Sequence, residues 1–431
     1  MASGPNSDGF AAVPSLTHVA DFIRGVCVRA ASEETPSLDG PWFSRRGQGF
    51  IALDGEEAKA YAEVAAQLAR DYGANGDISR KTLATFVQDA LFQTMDLGAA
   101  TQDMAACEQR LKTALQELHR KLIEPSASYT CFIPVESLSP DGLPMTLGGV
   151  QLLVMAEPRM RRLVLPRDAS LTVEEKRQRR QVLAIVSDEG IARRPVARVE
   201  VAARDSESAE SLAWLEVRAT IDILNFFADL IPNHPAWLYL AGEAGRQATT
   251  GVLVCDDGTL TIPNSLKGPL DGFSIQRLRA IPQLRRALAR IHASMRQSPQ
   301  SEVSKLLLTS LRWAGRASVE PVSERAFLQY VIALEALCAP TNSQHIKNVL
   351  QIRVSHLLGR KASDRGSLHD EVGRLYKLRS DVIHDGSFNL GPEDLGSVRL
   401  ITKRSLLRAL LHRGARKLTS RQELARWFDT R

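Results

Sequence analysis

The stretch that decides the fold runs from Ser367 to Gly386 and reads SLHDEVGRLYKLRSDVIHDG. Its apolar residues recur every three or four positions, which predicts an amphipathic helix. The Asp385-Gly386 pair follows directly and predicts that the helix stops there. Just before this stop, an arginine, a carboxylate and an imidazole lie within six residues, as Arg379, Asp381 and His384. The helix end therefore carries both charge and a group that moves protons.

Helical patterns surround this stretch on both sides. From residue 275 onward every patterned segment has helical periodicity and none alternates like a strand. Pro282 interrupts the first segment, Ser323 is the expected N-cap of another, and Pro340 is its expected stop. The segments are IQRLRAIPQLRRALARIHASM, EVSKLLLTSLRWAGRA, SERAFLQYVIALEALCAP, IKNVLQIRVSHLLGR and PEDLGSVRLITKRSLLRALLHRGARKL. They predict an all-helical C-terminal domain over 302–431, preceded by a helical linker over 272–301.

The middle of the chain, residues 126–271, mixes two periodicities. SASYTCFIPVESL and PMTLGGVQLLVMAEP predict strands, and SAESLAWLEVRATIDILNFFADL predicts a long helix. GVLVCDDGTLTIP predicts a hairpin that turns at Asp257-Gly258. Residues 1–125 are mostly helical by pattern and carry no motif that indicates a role. We therefore predict an α+β chain: a mixed α/β N-terminal and middle region, with a sensing or regulatory domain at 126–271, followed by an all-α C-terminal bundle.

Composition and charge limit the class of protein. The 431 residues carry a net charge of +6 and a pI of about 9.1, a mildly basic balance that suits a nucleic-acid partner. Five scattered cysteines without a C-x-x-C pair argue against a disulfide framework or zinc site, and for a reducing compartment. No signal peptide is visible, and no apolar run approaches the roughly 18 residues of a membrane span. We expect a cytoplasmic protein without a membrane partner.

Several enzyme classes are not indicated by motif. The sequence contains no P-loop, no G-x-S-x-G elbow, no H-E-x-x-H zinc motif and no G-x-G-x-x-G turn. No histidine of the C-terminal half pairs with another His or Cys at metal-ligand spacing. Neither a metal ion nor a cofactor is therefore expected.

The polar groups at the helix end suit phosphate chemistry. An imidazole that titrates near neutral pH moves protons, and a guanidinium holds a phosphate and stabilises the charge it gains in a transition state. These are the parts of a metal-free ribonuclease, in which a ribose 2′-hydroxyl attacks the adjacent phosphate. The alternative is structural: a solvated ion pair of Arg379 with Asp381, and His384 as a cap that favours the helix dipole.

Helical geometry divides these residues between two faces. At about 100° per residue, His384 shares a face with Lys377 and with Ser380 or Asp381, which are the candidate supporting residues. Asp381 is suited to orienting the imidazole. Arg379 lies about 140° away from His384 on an ideal helix. The two meet only if the helix end distorts, or if they come from two copies of the chain.

A family resemblance rests on these same residues. RLYKLRSDVIHDGS resembles the conserved helix of the HEPN superfamily in its ApeA-like branch: arginine, a polar residue, three more residues, histidine and a glycine turn. Upstream, LLLTSLRWAGRASVEPVSERAFLQYVIALEALCAP resembles the first helices of that domain, and IKNVLQIRVSHLLG resembles the next. The resemblance covers about Glu302 to Leu418.

The resemblance implies a fold, an activity and a partner. HEPN domains are helical bundles that dimerise, with two such helices lining a shared cleft, and many are metal-independent endoribonucleases. Bacterial members often act in phage defence by abortive infection, or as toxins. Arg379 and His384 would be the catalytic pair, with Ser380 in a position that is commonly asparagine, aspartate or histidine. Glu335 and Arg353 are expected to form an internal buried pair that fixes the bundle.

The last helical segment and the tail are strongly basic. Spacings of four residues, 399 to 403 and 404 to 408, place several cations on one stripe that can follow a phosphate backbone. The alternative is a solvated helix face. Few aromatic residues accompany these cations, so base stacking is not indicated. The predicted RNA contacts are Arg399, Lys403, Arg404 and Arg408.

Two functions from different classes follow. The first is an ApeA-like HEPN endoribonuclease of a bacterial antiphage or toxin-like system: a homodimer that acts on RNA and answers a phage-derived trigger. The second is a non-catalytic module, in which the bundle only dimerises or binds a nucleotide or RNA. Retention of both Arg379 and His384 favours the first, because an inactive scaffold has no physical need for either.

Overall fold

The fold is taken from a computed structural model. It describes residues 14–31, 42–45, 49–73, 76–95, 103–165, 172–188, 194–231, 237–240, 252–255, 260–261, 272–339, 345–384 and 390–430. Contacts divide the chain into two compact units, one formed by 1–129 with 201–212 and the other by 130–200 with 213–431.

Helices dominate the described residues. The helices are α1 Pro14–Ala31, α2 Gly55–Tyr72, α3 Arg80–Thr94, α4 Met104–Leu122, α5 Glu157–Val164, α6 Val173–Asp188, α7 Ser206–Ala228, α8 Ile275–Ala280, α9 Pro282–Arg296, α10 Glu302–Val319, α11 Ser323–Cys338, α12 Ile346–Leu358, α13 Ala362–His384, α14 Pro392–Leu411 and α15 Arg421–Asp429. A 3-10 turn over Gly414–Lys417 joins the last two. The strands are β1 Trp42–Arg45, β2 Gly49–Ala52, β3 Ala127–Glu136, β4 Met145–Leu147, β5 Val150–Val154, β6 Pro195–Ala203, β7 Tyr239–Leu240, β8 Val252–Cys255 and β9 Leu260–Thr261.

The first unit is built on α1 to α4. Their apolar stripes meet in one core, in which Ile23, Leu68, Leu91 and Leu118 are buried. A capping box starts α2: the Asp54 carboxylate accepts from the backbone amides of the first turn. β1 and β2 form an antiparallel hairpin in the same unit.

The sheet lies mainly in the second unit. Its strand order is β4-β5-β6-β3-β8-β9, and β7 pairs with β3. β4 with β5, β5 with β6, β3 with β7 and β8 with β9 are antiparallel pairs. The strand predicted in SASYTCFIPVESL is confirmed as β3 and the predicted hairpin as β8 with β9, whereas PMTLGGVQLLVMAEP forms two antiparallel strands, β4 and β5, in place of one. The turn at Asp257-Gly258 falls outside the described residues.

The C-terminal half of the second unit is helical, as predicted, over the residues described from 275 to 430. Pro282 is the first residue of α9, because a proline lacks the N–H that a helix interior requires but not that of its first turn. The expected N-cap role of Ser323 is wrong. Ser323 is the first residue of α11, and Val322 precedes it without a side-chain cap. The expected stop at Pro340 lies outside the described residues.

Packing within this helical half is pairwise. α10 packs against α11, α12 against α13, and α14 against α11, which places α13 and α14 beside the same inner helices. Where the structure describes the chain, no helix has the length and apolarity needed to cross a membrane.

The mixed α+β fold and the helical C-terminal region are confirmed. The division at residues 125, 271 and 301 and the assignment of the last part to a HEPN bundle remain predictions.

Candidate functional site

Helix α13 carries the predicted site along its final turns. The backbone stays α-helical from Ala362 to His384, so the helix end does not distort before the histidine. Helical spacing therefore places positions 379 and 384 about 140° apart around the axis of α13. The side chain of His384 and residues 385–389 lie outside the described residues. Positions 379 and 384 of this regular helix therefore do not converge within one chain.

Arg379 is held by groups on two helices. Its Nε lies 3.5 Å from Oε1 of Glu335 on α11, and its Cζ lies 5.7 Å from the ring centroid of Tyr376, one turn earlier on α13. A 3.5 Å contact is longer than an ordinary hydrogen bond. The described residues give no hydrogen-bond partner to its two Nη groups, and 26% of the side chain is exposed. The guanidinium is thus positioned while its outer donors stay available to an anion.

The carboxylate that holds Arg379 lies in a largely apolar environment. Glu335 follows the buried Ala333 and Leu334 on α11 and is itself only 20% exposed. Burial raises the pKa of Glu335, while the charge of Arg379 and a hydrogen bond from the Tyr376 hydroxyl partly oppose this rise. Burial and the nearby Glu335 also raise the pKa of Tyr376. These three side chains, called here the Arg379 cluster, form a coupled polar group.

The raised pKa of Glu335 predicts a pH-dependent stability difference. The folded protein binds the Glu335 proton more tightly than the unfolded chain does. The stability that this proton contributes is therefore complete below the unfolded pKa, about 4.3, and is lost as the pH rises through the folded pKa. We therefore expect Glu335→Gln to gain stability relative to wild type over that rise. Urea unfolding of both proteins across this pH range measures the difference.

Tyr376→Phe is the matched control for this experiment. It keeps the ring and removes only the hydroxyl that lowers the pKa of Glu335. The pH dependence should therefore grow in this variant. A difference between wild type and Glu335→Gln that stays constant with pH would contradict the assigned role of Glu335.

The three supporting residues differ in exposure. Lys377 is exposed, whereas Ser380 and Asp381 are half-buried at the same end of α13. Their shared face with His384 stays a prediction from helical spacing. The predicted contact of Asp381 with the imidazole of His384 lies outside the described residues.

The expected pair of Glu335 with Arg353 is wrong. Arg353 on α12 forms a two-pronged ion pair with Asp429 of α15, at 2.9 and 3.2 Å, and its Nη1 donates to the carbonyl of Cys338 at 2.7 Å. Arg353 therefore links helices α11, α12 and α15, whereas Glu335 lies beside Arg379. Both residues remain structural assignments, but in separate interactions.

Two of the four predicted RNA contacts are engaged inside the protein. Arg399 Nε donates to Asp229 Oδ2 at 3.0 Å, and Lys403 Nζ donates to the Asp229 carbonyl at 2.6 Å and also pairs with its carboxylate. The Asp229 side chain is fully buried. Lys403, only 14% exposed, therefore does not face solvent as the predicted RNA contact requires, whereas Arg399 stays 43% exposed beside the same buried carboxylate.

The other two predicted contacts face outward. Arg404 and Arg408 are exposed, one turn apart on α14, and both line a groove that also includes Arg360. The basic surface near the C-terminus is therefore centred on these arginines.

Sequence reasoning missed three residues of the site and its supports. Tyr376 lies three positions before Arg379, and this helical spacing was a signal for the contact. Asp229 and Asp429 gave no such signal, because each lies far along the chain from the cation that it binds.

Comparison with known proteins found no relative of this chain. No family model matches the chain, and no curated protein and no solved structure matches it. Among the described side chains, no three His, Cys, Asp or Glu residues lie together as a metal-ion site would require.

Proposed function

We propose that the chain is an endoribonuclease of the HEPN type that works as a homodimer without a metal ion. One observation carries the proposal: Arg379 is fixed beside Glu335 and Tyr376 with its outer guanidinium donors available, on a regular helix that ends at a histidine. A fixed guanidinium with available donors suits a phosphate that gains charge.

The proposed reaction is an intramolecular transesterification at a phosphate of the RNA backbone. The 2′-hydroxyl attacks the adjacent phosphorus, loses its proton to a base and forms a 2′,3′-cyclic phosphate. The 5′ oxygen leaves with a proton and becomes a hydroxyl. His384 would exchange these protons as general acid and base, with Lys377, Ser380 and Asp381 in support. Arg379 would stabilise the charged phosphate.

The resemblance supports a wider setting for this activity. It favours a bacterial antiphage or toxin-like system in which residues before the helical domain sense a phage-derived trigger. The alternative is a non-catalytic module that dimerises or binds RNA or nucleotide.

The test is cleavage of a labelled single-stranded RNA by purified protein in the presence of EDTA. We expect fragments that end in a 2′,3′-cyclic phosphate and a 5′-hydroxyl, because the nucleophile belongs to the RNA. The same RNA with 2′-deoxy sugars at the cleaved positions should stay intact. His384→Ala should lose the activity and keep the dimer. Cleavage of the 2′-deoxy strand, or unchanged cleavage by His384→Ala, contradicts the mechanism. Dimers that bind RNA and never cut it support the non-catalytic alternative.

A further inference from the structure

A basic groove lies in the second unit, lined by three helical elements. Its volume is about 1050 Å³, larger than most small-molecule sites. One wall is a ridge of α14 with residues four positions apart, and the other is the first two turns of α13. Its polar lining residues include Arg360, Asp364, Ser367, Arg404, Arg408 and His412.

The charge of this groove is mostly uncompensated. Arg360, Arg404 and Arg408 are exposed, and none has an ion-pair partner among the residues that the structure describes. Asp364 is the acidic lining residue, and its carboxylate accepts from the backbone N–H of Lys361 at 3.2 Å. Residues of the first turn of α13 also line the groove, so the positive end of that helix dipole lies beside it. Together these features favour an anion with several charges.

The groove is separate from the Arg379 cluster within one chain. Ser367 lines the groove near the start of α13, and Arg379 lies twelve residues later on the same helix. At 1.5 Å per residue the two positions are roughly 18 Å apart along the helix axis. By the same helical geometry the two positions also lie about 120° apart around the axis, so a ligand in the groove does not occupy the cluster.

We propose that this groove binds the backbone phosphates of single-stranded RNA and holds the strand while another phosphate reaches Arg379. The inference rests on the proposed function for its choice of RNA as the polyanion. Arginine forks match phosphate geometry, and among the described residues the groove lining contains no Phe, Tyr or Trp for base stacking. Binding is therefore expected to depend on charge and not on base sequence.

The test separates binding from cleavage. In Arg379→Ala background, fluorescence anisotropy with a 2′-O-methyl RNA measures affinity across a series of salt concentrations, and this RNA cannot undergo the cleavage reaction. We expect Arg360→Gln, Arg404→Gln and Arg408→Gln together to reduce the affinity at least about 10-fold. The slope of log K against log salt should fall by about 2, because each phosphate contact with a single strand contributes about 0.7.

A charge-matched control comes from exposed arginines outside the groove. Arg285→Gln, Arg296→Gln and Arg325→Gln remove the same charge from α9 and α11 and should change the slope little. If both triple variants lose the same RNA affinity, the effect comes from net charge alone and the proposal is wrong. The proposal is also wrong if the salt slope of the groove variant equals that of the parent protein. A single-stranded DNA tests the phosphate assignment, since it should bind with a similar slope. If wild type binds RNA through the groove but does not cleave it, the proposed nuclease activity is wrong and the proposed RNA-binding role of the groove is retained.

Discussion

Replacing Arg379 with alanine is expected to slow RNA cleavage at least about 100-fold, the effect of removing one preorganised donor from a charged transition state. The guanidinium lies 3.5 Å from the Glu335 carboxylate and over the Tyr376 ring, so both side chains help to position it before a phosphate arrives. Single-turnover cleavage of a labelled RNA gives the rate constant. Arg379→Lys should recover little, because a lysine ammonium lacks the planar fork that binds two phosphate oxygens.

A loss of activity must be separated from a loss of fold. Removing Arg379 leaves Glu335 without its cation, but burial already favours the protonated form of Glu335 by raising its pKa. Glu335→Gln alone should lower the activity, because it removes the carboxylate beside Arg379, and the double variant with Arg379→Ala should unfold like wild type and be no more active than Arg379→Ala alone. If the double variant cleaves RNA at the wild-type rate, Arg379 has no part in the reaction.

The regular geometry of α13 also predicts which copy of the chain supplies each catalytic residue. Because positions 379 and 384 lie about 140° apart around a regular helix, we expect Arg379 and His384 to act across two copies of the chain. A heterodimer of Arg379→Ala with His384→Ala then contains one intact site and one doubly altered site. Purified through two different tags, it should show about half of the wild-type activity, although each variant alone is inactive. An inactive heterodimer would place both residues in the same chain's site.

The fold follows from the sequence where one local signal dominates. Helical periodicity predicted the C-terminal half, and Pro282 marked the start of α9 because proline suits a first turn. Ser323 failed as an N-cap, since the helix begins one residue earlier than the cap would allow. A cap contributes about 1 kcal/mol, which the packing of an apolar helix readily exceeds.

The site was predictable only in its local part. Helical spacing identified the faces of α13 and would have linked Tyr376 to Arg379. Spacing says which side chains share a face, but not what lies opposite that face. Arg399 shared the predicted stripe, yet its partner Asp229 lies 170 residues earlier. Tertiary folding alone determines which cations face solvent and which find a buried carboxylate.

That buried carboxylate predicts the largest stability effect in the second unit. Asp229 follows α7, and its fully buried side chain accepts from Arg399, from Ser318 at 3.2 Å and from Tyr330 at 3.4 Å, and pairs with Lys403. Asp229→Asn keeps the shape and removes the charge. We expect it to lower the free energy of unfolding by about 3 kcal/mol, because the buried ammonium of Lys403 loses its counter-charge. Urea unfolding followed by circular dichroism measures the change.

The control for Asp229→Asn is Asp370→Asn, whose carboxylate is 87% exposed and whose removal should cost no more than about 0.5 kcal/mol.

A second substitution identifies the cause of that loss. Lys403 is only 14% exposed, and burial lowers its pKa despite the raising effect of Asp229, so the ammonium depends on this carboxylate. Lys403→Met removes the charge and keeps an apolar stem of similar length. Added to Asp229→Asn, it should restore part of the lost stability, because removing both partners leaves no isolated buried charge. If the stability losses of Asp229→Asn and Lys403→Met simply add, the two residues stabilise the fold through packing and not through their charges. The burial of Lys403 then has a cause other than its attraction to Asp229.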